Sequence, residues 1–306
     1  MPEPGPGPDP GAHVSPPQTT SPDTFAHEVA VIRRRLGLAT TAGIRYEDEG
    51  WDSRVYLVDD GAVVFKFPRS PGVRARYAHE VAVLRALEAE DLPVWTPTVA
   101  WEGTDLEYFG YEGLRGTAPE PAELGPSARA RLGEAIGGFA RVLHRLRLPG
   151  LPDVTVADEV DDVRAKWDAS RPILDRHFDS TRVGRLAALF LETVPDGLRR
   201  LGADPVPCHG DLGPWNMILA DDGRVGVIDF GDVMRTDRSK DLAGLDDPVA
   251  LDAALAAYGH DDAVLREKIA LRALPTLLMD LLFFTGKGDA ARLAVCLDRI
   301  RRVAPE

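Results

Sequence analysis

Hydrophobic and polar positions divide the chain into an early strand-rich part and a longer helical part. Two apolar runs, residues 55–58 and 62–67, flank the turn signal Asp59-Asp60-Gly61 and predict a β-hairpin. Apolar positions then recur at helical spacing. Helices are predicted over residues 23–36, 77–87, 125–146, 160–178, 183–201, 248–258, 263–284 and 289–303.

Polar residues interrupt this pattern in two segments, Cys208-His209-Gly210-Asp211-Leu212-Gly213-Pro214-Trp215-Asn216 and Ile228-Asp229-Phe230-Gly231-Asp232. A predicted hairpin, with its turn at residues 221–223, lies between the segments and brings them together. Transfer of a phosphoryl group needs a carboxylate to accept the hydroxyl proton and oxygen ligands for Mg²⁺. The spacing predicts a phosphoryl-transfer centre with Asp211 as the base and Asn216 and Asp229 as metal ligands.

The two segments resemble those of the aminoglycoside phosphotransferase family, small-molecule kinases that share the protein-kinase fold. In that family His-Gly-Asp-x-x-x-x-Asn replaces the kinase catalytic loop, and Ile-Asp-Phe-Gly-Asp replaces Asp-Phe-Gly. The resemblance implies an α+β, protein-kinase-like fold: a small antiparallel β-sheet N-lobe with one key helix and a larger, mainly helical C-lobe. It also implies that His209 supports the loop and that Asp241 braces it.

A nucleotide-clamping lobe follows from the same resemblance. Lys66 lies inside the second strand of the predicted hairpin, and Glu80 lies on the helix that follows. In kinases such a pair forms an ion pair, and the lysine also reaches the α- and β-phosphates. Residues 49–54 are predicted to form the turn that covers the phosphates, with Ser53 and nearby amides contacting them.

Residues 108–116 most resemble the aminoglycoside 2''-O-phosphotransferase branch. This likeness implies that Tyr111 screens the purine pocket and that Glu112, Gly113 and Leu114 lie along the nucleotide. Members of that branch use GTP as well as ATP, so the choice between ATP and GTP stays open. The implied domains are a disordered Pro/Gly-rich tail at 1–23, a nucleotide-binding lobe at 24–111, a hinge at 112–116, and a catalytic and acceptor-binding lobe at 117–306.

Composition and charge limit the classes of partner that the chain is expected to bind. The formal charge of −13 over 306 residues argues against a nucleic-acid partner. Two cysteines, distant in sequence, indicate neither a disulfide framework nor a metal motif, and they favour a cytoplasmic setting. The apolar run at 277–284 is too short to span a bilayer, which predicts a buried helix and no membrane partner. Oligomeric state stays open.

The predicted function is transfer of the γ-phosphoryl group of ATP or GTP, with Mg²⁺, to a hydroxyl of an aminoglycoside-type or other antibiotic. A metabolic small-molecule kinase acting on a sugar, amino alcohol or macrolide is the alternative enzyme. A non-catalytic nucleotide-binding regulator of the same fold is the alternative from another class. Acids at residues 158–162, and Asp280 within an apolar run, motivate the hypothesis that the small-molecule acceptor is cationic.

Overall fold

A computed structural model describes residues 20–39, 43–47, 52–120, 123–148 and 150–304. Residues 1–19 of the predicted disordered tail lie outside the described residues. Residues 49–51 of the predicted phosphate-covering turn lie outside them as well.

Nine helices and nine strands follow one another along the described chain. The strands are β1 Ile44–Glu47, β2 Ser53–Val58, β3 Val63–Pro68, β4 Thr98–Glu102, β5 Phe109–Glu112, β6 Pro205–Cys208, β7 Met217–Leu219, β8 Val225–Val227 and β9 Met234–Asp237. The helices are α1 Pro22–Leu36, α2 Pro71–Leu87, α3 Pro126–Leu143, α4 Val156–His177, α5 Ser180–Ala188, α6 Val194–Leu201, α7 Pro248–Tyr258, α8 Ala263–Lys287 and α9 Ala290–Val303.

Strands β1 to β5 form one antiparallel sheet in the order β1-β2-β3-β5-β4. The predicted hairpin is its centre, because β2 and β3 pair across the Asp59-Asp60-Gly61 turn. Lys66 stands opposite Val55 on one side and Phe109 on the other. A five-stranded antiparallel sheet with a mainly helical remainder confirms the predicted α+β class.

Helix α1 is attached to the sheet by a buried carboxylate. Glu28 is 3% exposed and accepts hydrogen bonds from Arg54 Nε at 2.9 Å and Nη2 at 2.7 Å. The Tyr56 hydroxyl donates to the same carboxylate at 2.7 Å. Because three donors satisfy one buried charge, the pairing compensates for its desolvation.

The described residues form two compact units. One contains the sheet, α1 to α3, β6 to β9 and α7, and it spans Pro17–Asp153 and Pro205–Asp261. Within it, α3 and α7 approach closely: a Cβ on Gly133 or Gly137 would lie 2.0 Å from the carbonyl oxygen of Ala250 or Ala254. The predicted boundaries of the two lobes and the hinge stay a prediction.

The second unit is helical and contains α4 to α6, α8 and α9. Its apolar core includes Trp167, Phe190, Leu198, Leu278 and Ile300. Arg272 is 5% exposed and forms a two-point ion pair with Glu159, at 2.8 Å and 2.7 Å. A buried ion pair of this geometry connects α8 to α4 inside the core.

Two predicted helices differ most from those observed. Helix α2 begins six residues earlier than predicted, at Pro71, because the Ser70 hydroxyl caps it and Pro71 has no amide to satisfy. The helix predicted over 183–201 is divided by a π-helical turn at Leu189–Thr193. Pro195 follows that turn and lacks the amide that a continuous α-helix would use.

Helix α8 extends beyond the predicted apolar run. Over its 25 residues it is long and apolar enough, by length and composition, to cross a membrane, and it alone meets that test within the described ranges. A core helix passes the same test, and Leu277, Leu278 and Leu281 of α8 are buried in the core of the helical unit.

Removal of the Glu28 carboxylate should destabilise the protein strongly. Glu28→Ala leaves Arg54 and Tyr56 without their shared acceptor, and we expect a loss of about 3–5 kcal/mol in the free energy of unfolding. Urea denaturation measures this loss. The control is Glu47→Ala, which removes a surface ion pair with Arg45 and should change stability by less than about 1 kcal/mol. Equal effects of the two substitutions would contradict the role given to Glu28.

Candidate active site

The loop after β6 carries the first predicted motif and is held by one buried carboxylate. Asp241 is fully buried and accepts the amide hydrogens of His209 at 2.8 Å and Gly210 at 3.0 Å. Oδ2 of Asp241, which accepts the His209 amide, also contacts His144 Nε2 at 3.0 Å. The interpretation of Asp241 as the brace of the loop is confirmed.

Gly210 adopts a backbone conformation that few other residues could take. Its φ is +88°, and a Cβ there would lie 2.4 Å from the carbonyl oxygen of Asp232. The loop therefore packs directly on the backbone of the second motif. The contact places the loop that carries Asp211 beside the motif that carries Asp229.

His209 and Cys208 are packed groups within this framework. His209 is completely buried, its Nε2 lies 3.1 Å from the Ile228 carbonyl oxygen, and its ring packs edge-on against Phe230. Burial raises the pKa of the Cys208 thiol well above its usual value, with the carboxylate of Asp241 adding to the effect. A protonated thiol is no nucleophile, so Cys208 acts as a small buried packing group.

Both carboxylate oxygens of Asp211 receive a hydrogen bond from its own loop. Asn216 Nδ2 donates to Oδ2 at 2.8 Å and to the Asp211 carbonyl at 2.8 Å. Trp215 Nε1 donates to Oδ1 at 3.1 Å. Desolvation raises the pKa of Asp211. The charges of Asp232 and Asp229 raise it further, whereas His209 lowers it. The group has the properties of a pre-oriented general base.

Trp215 is a site residue that the sequence reasoning missed. Its side chain is a large apolar group left 50% exposed, and it lies beside the predicted base. A Cβ on residue 213 would lie 2.5 Å from the indole ring, so Gly213 leaves the space that the ring occupies. The sequence did contain a signal for Trp215, because it places a large aromatic residue inside a polar loop segment and away from any apolar run.

Asp229 lies directly after the β7–β8 hairpin, as predicted. The hairpin is anchored twice, by Trp95 through the Val225 and Val227 backbone and by Thr117 through Leu219. Asp229 itself has a positive φ of 66°, which aspartate tolerates better than most residues. The Ile228 amide donates to the Asn216 carbonyl at 3.0 Å, which places the two predicted metal ligands on adjoining backbone.

Lys66 joins the sheet to the second motif. Its ammonium lies 2.7 Å from Glu80 Oε1 and 3.0 Å from Asp229 Oδ1, and it is positioned over the Phe109 ring. Burial disfavours the charged amine, but the Asp229 and Glu80 carboxylates raise the pKa of Lys66 well above its usual value. Lys66 in turn lowers the pKa of Asp229, which stays ionised. The predicted lysine–glutamate pair is present.

The remaining predicted nucleotide contacts surround this pair. Tyr111 is buried on β5, and desolvation raises the pKa of its hydroxyl. Ser53 begins β2, is 5% exposed, and accepts a hydrogen bond from the Tyr77 hydroxyl at 2.8 Å. That bond ties Ser53 to α2, and its contact with phosphate stays a prediction.

The predicted hinge segment continues β5. Glu112 is the last residue of β5 and is exposed, whereas Leu114 is buried, with 8% of its surface exposed. The Gly113 amide donates to the Ala62 carbonyl at 2.9 Å, so the sheet already uses this donor. Any contact of the three residues with a purine stays a prediction, and it requires groups other than the Gly113 amide.

The donor set fits Mg²⁺. Asn216 donates its amide hydrogens to Asp211, and within the described ranges its Oδ1 forms no hydrogen bond. Asp229 is ionised, and its side chain is 57% exposed. One amide oxygen and one carboxylate, with no sulfur or imidazole, form the kind of sparse oxygen set that Mg²⁺ takes together with phosphates and water.

The acids proposed for a cationic acceptor are engaged within the chain. Asp280 forms an ion pair with Arg299 at 3.1 Å, so its charge does not require a ligand ammonium, and the cationic acceptor stays a hypothesis. Asp158 caps α4 through Thr155, Asp161 pairs with Arg164, and Asp162 pairs with Lys166. The Asp161 and Asp162 pairs lie at helical spacing and can be read from the sequence, whereas the Asp280 partner comes from another helix and cannot.

Residues 44–271, more than half of the chain, match the model of the phosphotransferase enzyme family. No curated protein sequence matches the chain.

Three solved structures show the likeness in fold. The GDP and kanamycin complex of APH(2'')-IIIa has a TM-score of 0.72 at 19% identity, over 90% of this chain and 97% of that one. The streptomycin–ATP–APH(2'')-IIa ternary complex has 0.63 at 20%, over 93% and 97%. Macrolide 2'-phosphotransferase type I has 0.61 at 21%, over 92% and 98%. The predicted kinase-like fold is confirmed.

The brace should make stability depend on acidic pH. Hydrogen bonds from His144 and the His209 amide lower the pKa of Asp241, although burial opposes them. A carboxylate whose folded pKa is below the unfolded value of about 3.9 stabilises fully above that pH. The stabilisation is lost as pH falls through the folded value.

Asp241→Asn should therefore cost about 3 kcal/mol or more at about pH 7, and the difference from the unsubstituted protein should narrow below about pH 4. Chemical denaturation across that range measures it. Exposed Asp153 is the control, since Asp153→Asn should have a small effect that does not depend on pH. A difference that stays constant with pH would show that the Asp241 charge is not what holds the loop.

Trp215→Phe should lower turnover of the predicted phosphoryl transfer about tenfold, because it removes a hydrogen bond to a charged group. Nucleotide KM and the thermal midpoint should stay near their original values, since the side chain is half exposed. Gly213→Ala should reproduce the loss by displacing the indole. Unchanged kcat in Trp215→Phe would exclude a positioning role.

Proposed function

Because the chain belongs to the phosphotransferase enzyme family, we propose that it transfers the γ-phosphoryl group of ATP or GTP to a hydroxyl of a small-molecule antibiotic. The observation that carries the proposal is a complete catalytic set within one compact unit. Asp211, Asn216 and Asp229 adjoin one another, and Lys66 connects Asp229 to Glu80. A non-catalytic nucleotide binder would need no oriented base.

In the proposed reaction Asp211 accepts the proton of the attacking hydroxyl. Its carboxylate is held by Trp215 and Asn216 before substrate binds, so little reorganisation accompanies the proton transfer. Burial raises its pKa, which makes the carboxylate a stronger base. The Asp241 brace fixes the backbone on which it stands.

Lys66, Asn216 and Asp229 act on the nucleotide. Asn216 Oδ1 and the Asp229 carboxylate would hold Mg²⁺, which when bound neutralises charge on the phosphate oxygens. Lys66 presents a protonated amine at the same place. Glu80 shares that amine at 2.7 Å and keeps it oriented. The choice between ATP and GTP is part of the proposal to be tested.

The leading acceptor is an aminoglycoside, with a macrolide as the second candidate. The aminoglycoside phosphotransferase structures have the higher TM-scores among the three compared, which favours the first. Internal pairing of Asp280 and the 158–162 acids favours the second, because these acids no longer call for a cationic ligand.

A panel assay distinguishes the two candidates. Purified protein with Mg²⁺ and either ATP or GTP is incubated with kanamycin, gentamicin, streptomycin, a macrolide, and sugar and amino-alcohol controls. Addition of one phosphoryl group is read by mass spectrometry. Transfer to an antibiotic supports the proposal. Transfer only to the sugar or amino alcohol would favour the metabolic alternative, and no transfer at all would favour a regulator.

Asp211→Asn should lower kcat by about 10²-fold or more, because the amide cannot accept the proton. Nucleotide affinity should change little, since Asp211 faces the acceptor in the proposed role. Steady-state kinetics with the best acceptor, together with direct nucleotide titration, measures both quantities. Retained turnover would sink the assignment of the base.

Asp229→Ala should remove the Mg²⁺-dependent part of nucleotide affinity. The unsubstituted protein should bind the nucleotide more tightly with Mg²⁺ than with a chelator, and the variant should bind equally weakly in both, at least about tenfold below the original. Calorimetric titration gives these affinities without any turnover. An undiminished effect of Mg²⁺ in Asp229→Ala would show that the metal is held elsewhere.

A further inference from the structure

A cavity of about 260 Å³ lies beside His144, the partner of the Asp241 brace. Its lining brings together three arginines, two histidines and a tyrosine: Arg141, Arg145, Arg238, His144, His260 and Tyr258. No carboxylate is among the described residues that line it. Its size suits a small ligand or part of a larger one.

Two of these guanidinium groups lack an acidic partner. Within the described ranges, the side chains of Arg141 and Arg145 form neither an ion pair nor a hydrogen bond. Elsewhere in this acidic chain, arginines such as Arg54, Arg129 and Arg272 are paired with carboxylates. Two unneutralised guanidinium groups at one cavity create a positive potential there.

Helix geometry explains only part of this arrangement. Arg141 is in the last turn of α3, where a cation complements the helix dipole, and Arg145 follows the helix end. Arg238 follows β9, and His260 follows α7, so their convergence on the cavity does not come from α3. Guanidinium groups from separate elements are the usual means of recognising phosphate through paired N–H donors.

We propose that this cavity binds a phosphate-bearing small molecule and that its occupancy acts on the catalytic loop. The connection is a continuous chain of hydrogen bonds. The Tyr258 hydroxyl lies 2.9 Å from His144 Nδ1, His144 Nε2 lies 3.0 Å from Asp241 Oδ2, and that oxygen accepts the His209 amide at 2.8 Å. Asp211 is two residues beyond His209. A ligand that shifts Tyr258 or His144 therefore changes how the loop is held.

Binding is tested with inorganic phosphate, pyrophosphate and a sugar phosphate as separate probes, in the presence of a chelator that suppresses Mg²⁺-dependent nucleotide-site binding. The unsubstituted protein should show a saturable rise in thermal midpoint with at least one probe. The Arg141→Gln/Arg145→Gln double variant should bind that probe about tenfold or more weakly. Arg131→Gln, about three turns earlier on the same helix and not among the residues that line the cavity, removes one exposed charge and should bind normally.

The probes separate free phosphate from a phosphorylated metabolite as the natural ligand. Stabilisation by inorganic phosphate alone indicates the first, and selective stabilisation by the sugar phosphate indicates the second. Equal stabilisation of all three proteins would place the probe outside this cavity and overturn the site. Absence of stabilisation by every probe would overturn it as well.

Coupling is read by hydrogen–deuterium exchange of the peptide covering residues 206–216, which needs no turnover and does not depend on the proposed function. The effective probe should alter exchange of this peptide at least about threefold in the unsubstituted protein. Tyr258→Phe keeps all three arginines and removes the hydroxyl that contacts His144 and Arg238. Because Arg141 and Arg145 do not depend on that hydroxyl, the probe should still bind while its effect on exchange is lost. Binding without any change in exchange would overturn the coupling.

Discussion

The buried carboxylate of Asp241 is the interaction on which the candidate site depends. It is fully buried and accepts two consecutive amides of the catalytic loop together with a contact from His144. A carboxylate transferred from water to the interior is costly unless its oxygens are satisfied. Here the satisfying donors are the loop backbone itself, so the loop and the charge stabilise each other.

From this brace the catalytic geometry extends in two directions. Toward the loop tip, Asn216 and Trp215 each donate to one oxygen of Asp211, so the proposed base is oriented by its own neighbours. Toward the β7–β8 hairpin, the Ile228 amide is bonded to the Asn216 carbonyl, which sets Asp229 beside the loop. Short-range bonds thus position the reactive groups, while the brace positions the whole loop.

The site brings opposite charges together, so that each charge offsets the free-energy cost of desolvating the others. Lys66 lies between Glu80 and Asp229, and the two acids keep its amine protonated despite burial. The amine in return keeps Asp229 ionised. Such a set is stable only when complete, because removing one member leaves an uncompensated charge.

The sequence by itself determined the elements whose causes are local. Turn residues, capping residues and apolar spacing predicted both hairpins and most of the helices, and the spacing of Asp211, Asn216 and Asp229 predicted the catalytic groups. Those signals are readable because each depends on residues close together in the chain. The position of Lys66 opposite Phe109, and its distance to Glu80, needed the sheet.

Tertiary structure alone decided the partners of those charged groups whose partners lie far away in the chain. Arg299 neutralises Asp280 from another helix, and Arg54 and Tyr56 satisfy Glu28 across more than twenty residues. The arginine-lined cavity likewise arises where distant segments converge. A charge in a sequence shows only that a partner is required once the group is buried. Which partner supplies it depends on chain packing, because Coulomb and hydrogen-bond energies are decided by distances of a few ångströms.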